Sequence, residues 1–89
     1  MKTFRKQPRD HLDYDIVMSE WLSPGDEVEN LEIVDPPAGI EVTQTSVSPD
    51  RVKLWITGGE DGQSYKFTVL VYTESRTKEV DFLIVVTEL

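Results

Sequence analysis

The 89-residue chain has no cysteine, which excludes a disulfide framework and thiol or cysteine–zinc chemistry and fits folding in a reducing compartment. His11 is its only histidine, so a histidine-based metal site or a serine–histidine triad would have to be built around one residue near a chain end. No apolar run approaches the ~18 residues that span a bilayer, and Met1-Lys2-Thr3-Phe4-Arg5-Lys6 leads into no apolar stretch of the signal-peptide kind. A soluble chain that stays where it is made is the expectation. Nucleophile elbows, phosphate-binding glycine loops and HExxH spacings are missing as well.

Acidic pairs are abundant, but their abundance argues against chemistry. Asp13 and Asp15 alternate along one run, while Asp26-Glu27 and Glu60-Asp61 sit in turns, and in an acidic protein such pairs read as solvated surface. Calcium ligation by Asp13, Asp26 and Asp61 would need distant segments to share one pole, and no DxDxDG-type spacing supports it. No catalytic residue, metal or cofactor is expected, and the chain reads as something other than an enzyme.

Charge is scarce in one sign over most of the length. The net charge is −8; Lys2, Arg5, Lys6 and Arg9 against Asp10 make residues 1–10 +3, leaving −11 for residues 11–89. An acidic body repels phosphate backbones, so nucleic acid is not an expected partner. Residues 1–10 read as an extended basic N-terminal arm with Pro8 at its end, and residues 11–89 as a single domain.

Short apolar runs punctuated by turn residues every eight to twelve positions or so make that domain all-β. Strands are expected over 12–18, 27–34, 40–47, 51–57, 64–73 and from Val80 onward, with one helical or 3₁₀ turn over Ser19-Glu20-Trp21-Leu22 capped by Ser19. Val28 and Leu31-Ile33 are out of phase, which predicts a β-bulge near Glu29-Asn30. The stretch 40–47 is polar and threonine-rich, hence an edge. Val52, Leu54 and Ile56 should face inward, as should Tyr65, Phe67, Val69 and Val71, then Val80, Phe82, Ile84 and Val86. The closing half, Leu54 to Leu89, reads as one back sheet. Gly62-Gln63-Ser64-Tyr65 has the form of a tyrosine corner, its hydroxyl bonding back to the preceding loop. The architecture expected is an immunoglobulin-like or fibronectin-III-like β-sandwich of about seven strands with an extended N-terminal arm.

Two tryptophans read differently. Trp21 is expected to plug the open end of the sandwich. Trp55 falls on the outward phase, beside Tyr72 if the 51–57 and 64–73 strands share an outer surface; an exposed tryptophan marks an interface or a sugar platform, and coverage by the N-terminal arm is the equal alternative.

Leu12-Asp13-Tyr14, Ser19-Glu20-Trp21-Leu22, Gly25-Asp26, Trp55-Ile56-Thr57-Gly58-Gly59, Gly62, Tyr65 and the closing Val85-Val86-Thr87-Glu88-Leu89 together resemble the phage fiber-tail adaptors, small virion proteins of tailed bacteriophages, from Lys6 to Leu89. The resemblance implies an immunoglobulin-like structural protein made in the host cytoplasm and incorporated in several copies into the virion neck or tail. There it would join tail fibers to other tail and neck proteins. The expected contacts are Lys2, Phe4, Arg5, Lys6 and Arg9 of the arm, reaching a neighbouring copy or the tail, and the Trp55 and Tyr72 face, meeting the fiber. Membranes have no place in that role. Alternatives are a head-decoration or neck protein on the same fold, or an immunoglobulin-like carbohydrate-binding module using Trp55 and Tyr72. A free arm carries an expectation of its own: removing residues 1–10 leaves the fold intact and abolishes incorporation into particles.

Overall fold

In a computed structural model that describes all 89 residues, the chain forms seven strands: β1 (Lys2–Lys6), β2 (Leu12–Val17), β3 (Asn30–Val34), β4 (Ile40–Ser48), β5 (Arg51–Gly58), β6 (Ser64–Tyr72) and β7 (Thr77–Val86). They build a four-stranded sheet ordered β1-β7-β6-β3 and a three-stranded sheet ordered β2-β5-β4. No helix is long and apolar enough to cross a membrane.

Alternation places the core. Val52, Leu54 and Ile56 of β5 face Phe67, Val69 and Val71 of β6 and Phe82, Ile84 and Val86 of β7, all fully buried in one cluster. Strands β6 and β7 form an antiparallel hairpin ladder from Tyr72↔Thr77 to Ser64↔Val85, in which Tyr65 faces Ile84, Phe67 faces Phe82 and Val69 faces Val80. Val80 packs against the same cluster half-buried. The back-sheet reading of Leu54 to Leu89 is corrected here. Strand β5 belongs to the three-stranded sheet and β6 to the other, because the 59–63 loop carries the chain across the pole between them.

Residues 2–6 also depart from the free-arm expectation. They are β1, paired in parallel with β7 from Lys2↔Phe82 to Lys6↔Val86. Phe4 lies on the inward phase opposite Ile84. Its ring meets Tyr14 at 5.1 Å between centroids and Phe82, edge-on, at 5.9 Å; Phe82 stacks in turn on Phe67 at 5.1 Å. This aromatic chain ties β2 of one sheet to β1, β7 and β6 of the other.

The bulge is in β4, not near Glu29-Asn30. Strand β3 begins only at Asn30; Val28 lies before it, buried, its N–H bonded to the Pro49 carbonyl at 3.0 Å, so the change of phase falls outside the ladder. In β4 the register shifts between Val42 and Gln44. The extra residue puts Thr45 and Val47, not Gln44 and Ser46, on the inward phase opposite Leu54 and Val52. Strand β4 is an edge, as its composition requires. The Ser19–Leu22 segment is a turn whose Trp21 and Leu22 N–H groups both donate to the Met18 carbonyl, at 3.0 and 3.1 Å. Met18, rather than Ser19, supplies the acceptor.

Because β1 belongs to the sheet, removing residues 1–6 uncovers the β7 edge together with Tyr14 and Phe82, and the truncated chain should lose its cooperative unfolding transition. Phe4→Ala is the milder form: it should lower stability by about 2–4 kcal/mol, the cost of truncating a large core side chain, measured by urea denaturation followed by tryptophan fluorescence.

Candidate functional site

Lys6 ends β1 with its side chain buried, 2% exposed. Its Nζ donates to the carbonyls of Gly58 at 2.6 Å, Gln7 at 2.8 Å and Pro8 at 3.2 Å, which uses all three of its N–H groups. Burial pulls the pKa below its ordinary value, and Asp10 partly offsets that pull. Lys6 is therefore corrected from a partner-facing residue to an internal clamp joining the end of β1 to the end of β5. A charge that far from solvent is engaged within its own fold.

Beside it stands the tyrosine corner. The Glu60 N–H donates to Tyr65 Oη at 3.0 Å, and Gly59 has a φ of 94°. A Cβ on Gly59 would fall 2.7 Å from Val86 and 3.3 Å from the Tyr65 ring, so glycine is needed there for space as well as for backbone angle. Tyr14 lies in the core with its hydroxyl unpartnered, and its pKa is raised by burial and then by Asp10 and Asp13.

The opposite pole is held by a cation. The Arg76 guanidinium lies 4.2 Å from the Trp21 ring centroid, and its Nη2 donates to the Trp21 carbonyl at 3.2 Å and to Asp26 Oδ2 at 3.1 Å. Trp21 itself packs half-buried against the core. The Ser19–Leu22 and Gly25-Asp26 signatures thus surround one arginine, a partner that their own spacing does not point to.

The two outer faces differ in chemistry. On the three-stranded sheet, Lys53 approaches Asp13 at 3.3 Å and Asp15 at 3.7 Å, and Arg51 pairs with Asp50 at 3.0 Å. Trp55 is half-buried among them, with Lys53 Nζ 5.6 Å from its ring. His11 Nε2 lies 2.7 Å from Thr43 Oγ1. On the four-stranded sheet, Leu70, Leu83, Val85 and Val34 are half-exposed on the outward phase. Tyr72 joins them, its hydroxyl donating to Glu32 at 2.8 Å; that bond, then desolvation and the carboxylate charge, raise its pKa. Trp55 and Tyr72 therefore face opposite sides, and the joint surface expected of them does not form. Their strands alternate correctly but lie in different sheets.

Asp13, Asp26 and Asp61 are likewise kept apart. Asp13 faces Lys53, Asp26 faces Arg76 and Asp61 accepts the Glu88 N–H at 3.1 Å.

The lateral sides are unequal too. The seam between β1 and β2 is closed by Phe4 on Tyr14. On the other side Leu31 and Ile33 of β3 are only half-buried, and Val47 of β4 is 40% exposed although inward in phase. Charge divides in the same way only between the edges of the four-stranded sheet, basic at β1 and acidic at β3. Between Arg9 and Arg51 the sequence holds no lysine or arginine and eleven acids, and this stretch supplies β2, β3 and β4. That gap was visible in the sequence; that it is divided between β2, on the β1 side, and β3 and β4 on the other was not.

Residues 6–85 match the family described as podophage GP4 fiber-tail adaptor protein gp77. No curated protein matches the chain.

Lys6→Met removes the ammonium from the Gly58, Gln7 and Pro8 carbonyls, of which Gln7 keeps the Asp10 N–H at 3.1 Å, and should cost about 1–3 kcal/mol near neutral pH. Because burial lowers the Lys6 pKa from 10.5, its folded form gives up the proton first. The cost of burying the charge is fully present below the lowered value and is relieved as pH climbs toward 10.5. Wild type should therefore gain stability relative to Lys6→Met across that alkaline interval, measured as paired urea midpoints against pH. Arg76→Lys keeps the charge but loses the fork and the stacked plane, and should cost about 1–2 kcal/mol in the same assay.

Proposed function

The chain belongs to the family of the podophage GP4 fiber-tail adaptor protein gp77, and from that premise we propose that it is a non-enzymatic structural protein of the phage virion, an adaptor holding tail fibers to the tail through protein–protein contacts. The observation that carries this reading is the match over residues 6–85, which takes in everything from the Lys6 clamp to the last strand. The two sheets and the tyrosine corner support an immunoglobulin-like character for the sandwich.

An adaptor needs two separate surfaces on a body that does not deform between them. The two outer faces meet that need. One presents Trp55 within a network of ion pairs and continues onto β4, which carries no charged residue from Val42 to Ser48. The other presents Leu70, Leu83, Val85 and Tyr72. We assign one partner to each. Lys2, Arg5 and Arg9 remain exposed on the β1 side and stay available for contact, whereas Phe4 and Lys6 are engaged inside the fold. The carbohydrate-binding alternative loses its two-ring platform, because Trp55 and Tyr72 point away from each other.

A cryo-electron density map of the intact particle tests the role. Copies lying between tail and fiber are the expected result; absence from the particle, or a place on the capsid shell, overturns it in favour of another function or of head decoration. Trp55→Ala should leave the fold intact, since the ring lies on the outer face, and should weaken attachment of the partner on that face by about tenfold or more, read as its occupancy in purified particles.

A further inference from the structure

The sheet order β1-β7-β6-β3 leaves the outer edges of β1 and β3 without a neighbouring strand. Both strands are five residues long. They run in the same direction, since β1 is parallel to β7 while β7 and β3 are each antiparallel to β6. Their charges are opposite. Strand β1 exposes Lys2 and Arg5, and β3 with its flanks exposes Glu27, Glu29, Glu32 and Asp35. None of these six groups has an ion-pair partner within the chain. Arg5 and Glu32 stand on the same outer face of the sheet, Arg5 opposite Val85 and Glu32 opposite Leu70. Tyr72 holds the Glu32 carboxylate by its hydrogen bond.

We propose that these two edges are made for each other in different copies: the basic β1 edge of one copy adds in parallel to the acidic β3 edge of the next, continuing the four-stranded sheet from molecule to molecule. Like charges oppose β1 meeting β1 or β3 meeting β3, which protects each edge from pairing with itself. Only the unlike pairing brings Arg5 toward Glu32. Because the two surfaces differ, the contact is head-to-tail and leaves a free edge of each kind after every addition. Such a contact produces a ring when its rotation closes, and a ring is compatible with several copies around a tail axis. The short strands bury little area, so the isolated contact is weak and depends on charge. The inference concerns the chain itself and holds whichever proteins lie against its outer faces.

Sedimentation of the purified full chain at increasing concentration, to about 1 mM, reads the association directly. The weight-average mass should rise past that of a dimer without a plateau at two, and should fall back toward the monomer as salt is raised from about 0.01 M to about 1 M, which shortens the Debye length from roughly 30 Å to roughly 3 Å. Arg5→Glu alone and Glu32→Lys alone should each weaken association at least tenfold, with circular dichroism and thermal midpoint confirming that the variants are folded. An equimolar mixture of the two single variants should associate again, because each then offers the edge the other needs, and the double variant Arg5→Glu with Glu32→Lys should associate by itself. A monomer at every concentration, a dimer that stops at two, association indifferent to both reversals, or failure of the mixture and the double variant to recover would each overturn the proposal. These readouts come from the isolated protein, so their failure leaves the adaptor reading standing, to be judged by the particle map.

Discussion

The parallel pairing of β1 with β7 is the constraint on which the rest of the sandwich depends. A parallel pair cannot be made by a hairpin, and this one joins the start of the chain to its last strand, so it closes nearly the whole sequence into one loop. In return it covers the β7 edge, carries Phe4 to the seam between the sheets, and delivers Lys6 to the pole where the 39, 58 and 86 backbones converge. One short strand therefore closes a side and an end together.

The two poles are held by different means. At one, an ammonium, a tyrosine hydroxyl and a glycine without room for a side chain join five strand ends within a few ångströms. At the other, the Arg76 guanidinium gathers the Trp21 ring, the Trp21 carbonyl and Asp26. Lys6 is satisfied by backbone carbonyls alone, whereas Arg76 combines the Trp21 carbonyl and ring with the Asp26 carboxylate. The exposed ion pairs of the three-stranded face contribute less, because water screens them. What those pairs provide is a neutralised outer surface around Trp55, unlike the uncompensated acids along β3.

For a member of a fiber-tail adaptor family, that distribution matters more than any single residue. Rigidity comes from the aromatic chain through Tyr14, Phe4, Phe82 and Phe67, which locks the sheets against each other. Distinct chemistry on the two faces and on the two lateral edges gives a small body four surfaces that are not interchangeable. Specificity among several neighbours requires such differences, since like surfaces would accept the same partner.

Much of the fold could be read along the chain. Period-two alternation over 51–57, 64–73 and 80–86 determined which side chains of β5, β6 and β7 enter the core, because an inward phase on a half-buried strand admits only apolar residues; the glycine-then-tyrosine order marked the corner at Tyr65, and threonine-rich polarity marked β4 as an edge. Strand β1 was not legible, because Lys-Thr-Phe-Arg-Lys holds one apolar residue and its burial depends on a partner eighty positions away. The separation of Trp55 from Tyr72 was hidden for a related reason: alternation tells which way a side chain points from its strand and nothing about which sheet the strand joins. Local pattern was enough for the existence of β2 to β7, for the inward faces of β5, β6 and β7, and for the cation-free stretch from 10 to 50. It took the folded arrangement to make the basic arm an edge strand, to bury one of its lysines as a clamp, and to set basic β1 and acidic β3 at opposite edges of one sheet, because each of these is a property of pairing between distant segments and not of any local pattern.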